Sequence, residues 1–110
     1  MSWRVVEPDE FLERLKTTLG PLRGKYASVC GPGRSGQVAA VYASHYLGIP
    51  WIPVHLAHKS KLRPVLVIDT ASESGATSHK AARRAGGCDS VFIFNEPPRV
   101  KFWYEAEVIA

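Results

Sequence analysis

The sequence predicts an α/β domain built on a mostly parallel, doubly wound sheet. Three observations carry this. Short apolar runs rich in β-branched residues alternate with stretches of helical periodicity, the pattern of strand–helix–strand units. The run at 65–68, Val-Leu-Val-Ile, is apolar at every position, as a strand buried on both faces must be. Two turns rich in glycine and small residues, at 31–36 and 72–77, each follow a strand and precede a helix, and Asp69 closes the apolar run. Open α/β sheets bind ligands at the carboxyl ends of their strands, so both turns and Asp69 belong to one edge.

Residues 1–6 are short and apolar enough for an edge strand. Pro8 and the acids Glu7, Asp9 and Glu10 then open a helix. Phe11, Leu12, Leu15 and Leu19 recur at helical spacing, and Gly20-Pro21 ends the pattern. Strands are expected at 26–30, 51–56, 65–68 and 90–95. An alanine-rich helix over 37–46 ends at Gly48, and a second over 77–85 ends at Gly86-Gly87. A basic connection covers 57–64, Glu96-Pro97-Pro98 is a turn, and 101–109 is a final extended segment.

A chain of 110 residues makes one domain, 1–110, able to bury roughly two thirds of its unfolded surface. It carries no signal-peptide pattern and no apolar run near the ~20 residues of a membrane span. Cys30 and Cys88 lack metal or redox spacing and read as reduced thiols of a cytoplasmic protein. The net charge of +4 is spread along the chain, which favours anionic ligands but makes no case for nucleic acid.

The second turn, Ser72, Glu73, Ser74, Gly75, Ala76 and Thr77, offers backbone N–H groups and three hydroxyls beside a helix N-terminus. Free N–H groups and the positive dipole end suit a phosphate. Ser74 or Thr77 could instead simply cap the helix. The first turn, Gly31-Pro32-Gly33-Arg34-Ser35-Gly36, satisfies G-x-G-x-x-G, which makes a dinucleotide-binding domain a rival. That reading needs an acid about 20 residues on. His55 stands there instead, and no acid lies between Gly36 and Asp69. A tight turn needing glycine for positive φ is the simplest alternative. His55-x-x-His58 has metal-pair spacing without a third ligand, and His79 is read as facing water. Lys59, Lys61 and Arg63 are either a short lid or a soluble basic turn, and Trp103 and Tyr104 either pack a core or stack on a ligand.

Asp69 followed by Ser74-Gly75-Ala76-Thr77 resembles the phosphoribosyl pyrophosphate (PRPP) motif of type I phosphoribosyltransferases. Arg34-Ser35-Gly36 resembles their pyrophosphate loop. Tyr46-Leu47-Gly48-Ile49-Pro50, Phe94-Asn95-Glu96-Pro97 and Phe102-Trp103-Tyr104-Glu105 resemble stretches of the xanthine- and hypoxanthine-type members. The resemblance implies that fold with its small hood, and transfer of ribose 5-phosphate from PRPP to a nucleobase, a purine, with release of pyrophosphate. It assigns Asp69 and Thr70 to the ribose, with Asp69 also touching Mg²⁺ carried on PRPP. It assigns 72–77 to the 5-phosphate, Arg34, Ser35 and Gly36 to pyrophosphate, and Glu96 and Trp103 to the base. A homodimer or other homo-oligomer is implied, with 102–104 as a contact. The departures are Thr70 for the second acid, Ser35 for the first loop glycine, Glu96 for the base-contacting lysine and a lid cut to 57–64. The chain also ends before the segment that carries the family's aromatic base clamp. A non-catalytic module binding PRPP or a nucleotide is the alternative on the same fold.

Overall fold

The computed structural model describes residues 4–71, 76–94 and 100–105, with the backbone alone over 76–78. Strand β1 (Val5–Val6) leads into helix α1 (Pro8–Leu19). Pro8 sits in the first turn, where its missing N–H costs nothing, and Asp9 and Glu10 lie at the positive end of the dipole. Phe11, Leu15 and Leu19 form its buried stripe, and a 3₁₀ turn over Gly20–Leu22 carries the helix past the expected stop.

Strand β2 (Ser28–Cys30) is followed by α2 (Gly33–Leu47). The helix starts four residues before the expected position 37. Gly33 takes φ of 65°, so the chain turns within one residue and Arg34, Ser35 and Gly36 become the first helical turn. At the other end Gly48 is left-handed, as a terminating glycine should be.

The strand expected over 51–56 is largely absent. Trp51 makes a single parallel bridge to Val29, framed by Ile52 N–H to Val29 O (2.9 Å) and Val29 N–H to Pro50 O (3.0 Å). Pro53 cannot donate to a ladder, and the chain winds instead into the single turn α3 (Val54–Ala57). Strand β3 (Val65–Ala71) runs through Asp69 and Thr70, α4 spans Ala76–Arg84 and β4 spans Asp89–Phe94. Strand β5 (Lys101–Phe102) ends in a 3₁₀ turn, Trp103–Glu105, so the extended segment expected over 101–109 breaks after Phe102, and its remainder, 106–109, lies outside the described residues.

β2, β3 and β4 form a parallel sheet in that order, with Trp51 on the outer edge of β2. β1 and β5 pair parallel in a separate two-stranded hood. Side chains alternate across β3. Leu66 and Ile68 join α1 and α2 in one core, while Val65 and Val67 join α3 and α4 in the other. The sheet is therefore doubly wound. The helix after β2 leaves toward one face and the helix after β3 toward the other, which opens a crevice between their carboxyl ends, the place such sheets use for ligands.

The connection 57–64 does not reach that crevice. The Arg63 guanidinium donates to the carbonyls of Ala57 and Ala85, both at 3.2 Å, and lies 3.2 Å from Cys88 Sγ. Ser28 Oγ donates to Leu62 O (2.7 Å) and Ala27 N–H to Pro64 O (2.8 Å). These bonds draw the segment down to the amino ends of β2 and β3. The short-lid expectation is thus corrected: Arg63 ties the segment to the end of α4, with a cation at the negative pole of that helix. Among the described residues no helix is long and apolar enough to cross a membrane.

Burial pushes the Cys30 thiol up to about 11, with Cys88 nearby adding to it. Burial, and then the hydrogen bond to Asp89 (2.8 Å), pushes the Tyr26 phenol up to about 12. Both groups ionise more readily in the unfolded chain, from their usual 9.0 and 10.0. Their contribution is therefore intact below pH 9 and is lost as pH rises through the folded values. Urea unfolding midpoints should hold level up to pH 9 and fall between pH 9 and 11, and Cys30→Ala should flatten that fall. An equally steep fall in the variant would show that Cys30 plays no part.

Candidate functional site

The crevice between β2 and β3 is closed at its base by backbone alone. A Cβ on Gly31 would collide with the Gly36 carbonyl and lie 2.7 Å from Ile68 O. A Cβ on Gly36 would lie 2.9 Å from Pro32 Cδ, 3.1 Å from Gly31 C and 3.4 Å from Asp69 Oδ1. Glycine at both positions lets the first turn of α2 rest on the strand ends, beside the Asp69 carboxylate. The N-cap residue is Pro32, and no side chain caps this end of α2. Its first N–H groups therefore keep their capacity for an anion.

Asp69 is 9% exposed, and its Oδ1 accepts the Thr70 N–H at 2.8 Å. Thr70, the next residue on β3, points to the opposite face and is buried. There it meets Ser35: the two hydroxyl oxygens are 2.7 Å apart. Ser35 Oγ is also 2.6 Å from the Tyr104 hydroxyl. Three hydroxyls from α2, β3 and the hood thus form one cluster beside Asp69. Tyr104 stacks on Phe102 (5.5 Å, 8° between planes) and meets Trp103 edge-on at 4.9 Å. Burial raises its pKa, Ser35 and Thr70 pull the other way by hydrogen bonding, and the charges of Glu105 and Asp69 raise it further. The phenol therefore stays neutral at ordinary pH.

Of the residues singled out in the sequence, Asp69, Thr70, Ser35 and Gly36 are brought together. Arg34 lies exposed on the same turn of α2. Ala76 and Thr77 open α4, directly after β3 and its connection. Ser72, Glu73, Ser74, Gly75 and Glu96 lie outside the described residues. Trp103 is half-buried in the hood, edge-on to Phe11 at 5.3 Å. Of the expected subunit contact at 102–104, Phe102 is 1% exposed between Phe11 and Phe94, while Trp103 and Tyr104 are partly exposed. His55 and His58 are exposed, and no group of three His, Cys, Asp or Glu side chains gathers among the described residues.

Among the described residues a divalent cation would find the Asp69 carboxylate and the neighbouring hydroxyls here. That donor set suits an ion delivered on a phosphorylated ligand rather than one resident in the protein. Tyr104 is the site residue that sequence reading assigned elsewhere. The available signal was that both departures from the family loops, Ser35 and Thr70, are hydroxyl residues able to bond each other.

No family model matches the chain, and no curated protein matches it in sequence. Solved structures do match. A purine phosphoribosyltransferase from Pyrococcus horikoshii aligns at 21% identity over 100% of this chain and 99% of that one, with a TM-score of 0.73. A hypothetical protein from Neisseria gonorrhoeae, solved with ppGpp bound, aligns at 15% identity over 99% and 93%, with a TM-score of 0.77. Helicobacter pylori xanthine-guanine-hypoxanthine phosphoribosyltransferase aligns at 16% identity over 94% and 92%, with a TM-score of 0.65. The chain therefore has the type I phosphoribosyltransferase fold.

The glycine corner and the hydroxyl cluster should differ in cost when disturbed. Gly36→Ala drives a methyl against the Pro32 ring and the Gly31 backbone and should cost about 1–3 kcal/mol, in the range of overpacked cores. Tyr104→Phe removes one hydroxyl while Ser35 and Thr70 keep each other, and should cost about 1 kcal/mol. Urea unfolding of both variants checks this ordering. A Gly36→Ala protein as stable as the parent would show that the corner has room.

Proposed function

We propose that this protein transfers ribose 5-phosphate from PRPP to a purine base and releases pyrophosphate. The observation that carries the reading is the Asp69 carboxylate beside the uncapped first turn of α2, in the crevice between β2 and β3. The fold shared with two purine-type phosphoribosyltransferases supports it.

The chemistry asks little covalent work of the protein. The bond from the anomeric carbon to pyrophosphate breaks, its electron pair leaves with pyrophosphate, and a base nitrogen forms the new bond and gives up its proton to water. Positive charge develops on the ribose ring between the two events. Asp69, held by the Thr70 N–H, places negative charge near the ribose and orients its hydroxyls. Arg34, Ser35 and Gly36 receive the pyrophosphate on the first turn of α2, and residues 72–77 hold the 5-phosphate at the start of α4. Mg²⁺ arriving on PRPP would be held by the ligand's own oxygens with Asp69, and would neutralise the leaving pyrophosphate. Thr70 gives the ribose a neutral partner where a second acid would give a charged one. Glu96 and Trp103 are assigned to the base.

The bound connection 57–64 leaves the crevice uncovered from that side, so water competes with the base. We expect nucleotide formation with purines in the presence of Mg²⁺, accompanied by a sizeable share of ribose 5-phosphate from hydrolysis. Asp69→Asn keeps an oxygen for the Thr70 N–H and removes the charge. It should lower transfer about hundredfold or more, the size of effect seen when one electrostatic contact to a transition state is lost. Pyrophosphate affinity should change little. Chromatographic quantification of both products checks these expectations, and full activity in Asp69→Asn would overturn the assignment.

The second reading, a module that binds PRPP or a nucleotide without turnover, is favoured by the hydroxyl cluster that stands where a carboxylate is expected. The Neisseria structure with ppGpp bound is in keeping with it. Stabilisation by PRPP with no pyrophosphate release from any base would select that reading.

A further inference from the structure

On the α4 face of the sheet, away from the hydroxyl cluster, lies a cleft of about 480 Å³. Its walls come from four stretches of chain: the loop Gly31, Pro32 and Gly33; the edge residue Trp51; His55 on α3; and Lys80 and Arg84 on α4. None of Ser35, Asp69, Thr70 or Tyr104 lines it. It therefore lies beside the crevice assigned to PRPP, sharing with it the stretch from Gly31 to Gln37 at the start of α2.

The cleft combines an aromatic wall with cations that have no counter-charge among the described residues. Trp51 is 38% exposed, and the backbone on either side of it is bonded to Val29, so the residue is anchored at the sheet edge with part of its ring open. A large, partly exposed ring held this way offers a stacking face. Lys80 and Arg84 are four residues apart on one helix and so present their charges side by side, about 5–6 Å apart at Cβ. His55 faces them across the cleft. Among the described residues none of the three has a hydrogen bond or ion pair, and no acid lines the cleft. Two cations on one helix face with no counter-charge among the described residues suit a group bearing more than one negative charge. Gly33 adds access: a Cβ there would meet nothing within 4 Å, so the loop leaves space over the cleft. The volume falls in the range of small-ligand sites, roughly 300–1,000 Å³.

We infer that this cleft is a second binding site, for a nucleoside diphosphate or a more highly phosphorylated nucleotide, with its base against Trp51 and its phosphates between His55, Lys80 and Arg84. The inference stands apart from the transferase reading, because none of the described residues assigned to ribose, pyrophosphate or purine lines the cleft.

ADP is the probe, measured by isothermal titration against the full chain. Wild type should bind it, Lys80→Ala/Arg84→Ala should weaken it at least tenfold, and Trp51→Ala should weaken it severalfold. All three side chains are exposed, so the variants should fold, and circular dichroism of each confirms it. Asp69→Asn should bind ADP as wild type does, and saturating PRPP should leave the ADP affinity within twofold. Absence of ADP binding at millimolar concentration would overturn the inference. So would unchanged affinity in the folded double variant, or full displacement of ADP by PRPP. A protein that binds ADP in this pattern but fails to bind PRPP would refute the transferase reading and leave the cleft standing.

Discussion

Two peptide groups pressed together at Gly31 and Gly36 set the geometry on which the rest depends. They fix the start of α2 against the end of β2, and the Ile68 carbonyl of β3 closes the contact from the other side. The angle at which α2 departs follows from that contact. The helix then lies on the sheet through Ala39, Ala40 and Ala43, all fully buried. On the opposite face α4 does the same through Ala81 and Ala82, with Ala85 just beyond its end. Small side chains on both helices bring their axes close to the sheet. The large side chains of the core are contributed by α1, the strands and the hood instead.

Much of this was legible in the sequence because it depends on local pattern. The all-apolar run at 65–68 identified the central strand, and the spacing of Phe11, Leu15 and Leu19 identified the buried face of α1. Asp69 could be placed at a strand end for the same reason. Where reading failed, a local rule had competition. The aromatic and β-branched residues at 51–54 favour a strand, yet Pro53 removes a ladder donor and pairing ends after Trp51. The six-residue glycine motif looks like a loop, yet one positive φ at Gly33 completes the turn and the remaining residues become helix. The basic residues near position 60 look like a lid, yet Arg63 finds two carbonyl acceptors on α3 and beyond α4 that only the folded chain brings together.

The site was half legible for the same reason. Its acid and its glycines announce themselves by position relative to one strand. Its hydroxyl cluster does not, because Ser35 and Tyr104 are 69 residues apart. Their meeting depends on where the hood sits. Position in the fold, rather than residue type, also separates the roles of the cations. Arg63 is spent on the scaffold, whereas Lys80 and Arg84, on the same side of the sheet, line open space.

The hood itself has a consequence for timing. Its two strands come from opposite ends of the chain, Val5 and Val6 beside Lys101 and Phe102, with the Lys101 N–H closing on Arg4 O at 2.9 Å. Bringing such distant segments together is the most entropically demanding closure in the molecule, and little is gained from it until the main sheet exists to receive Phe11 and Phe102. The hood therefore assembles late and is the natural unit to open first, as a local excursion far cheaper than global unfolding. When it opens, Tyr104 leaves Ser35 and Thr70, and one wall of the crevice goes with it. Backbone amides at the two chain ends would then exchange with solvent together, and faster than those of the central strands. Entry to the crevice would share that rhythm, governed by the meeting of the chain's two ends rather than by a dedicated loop.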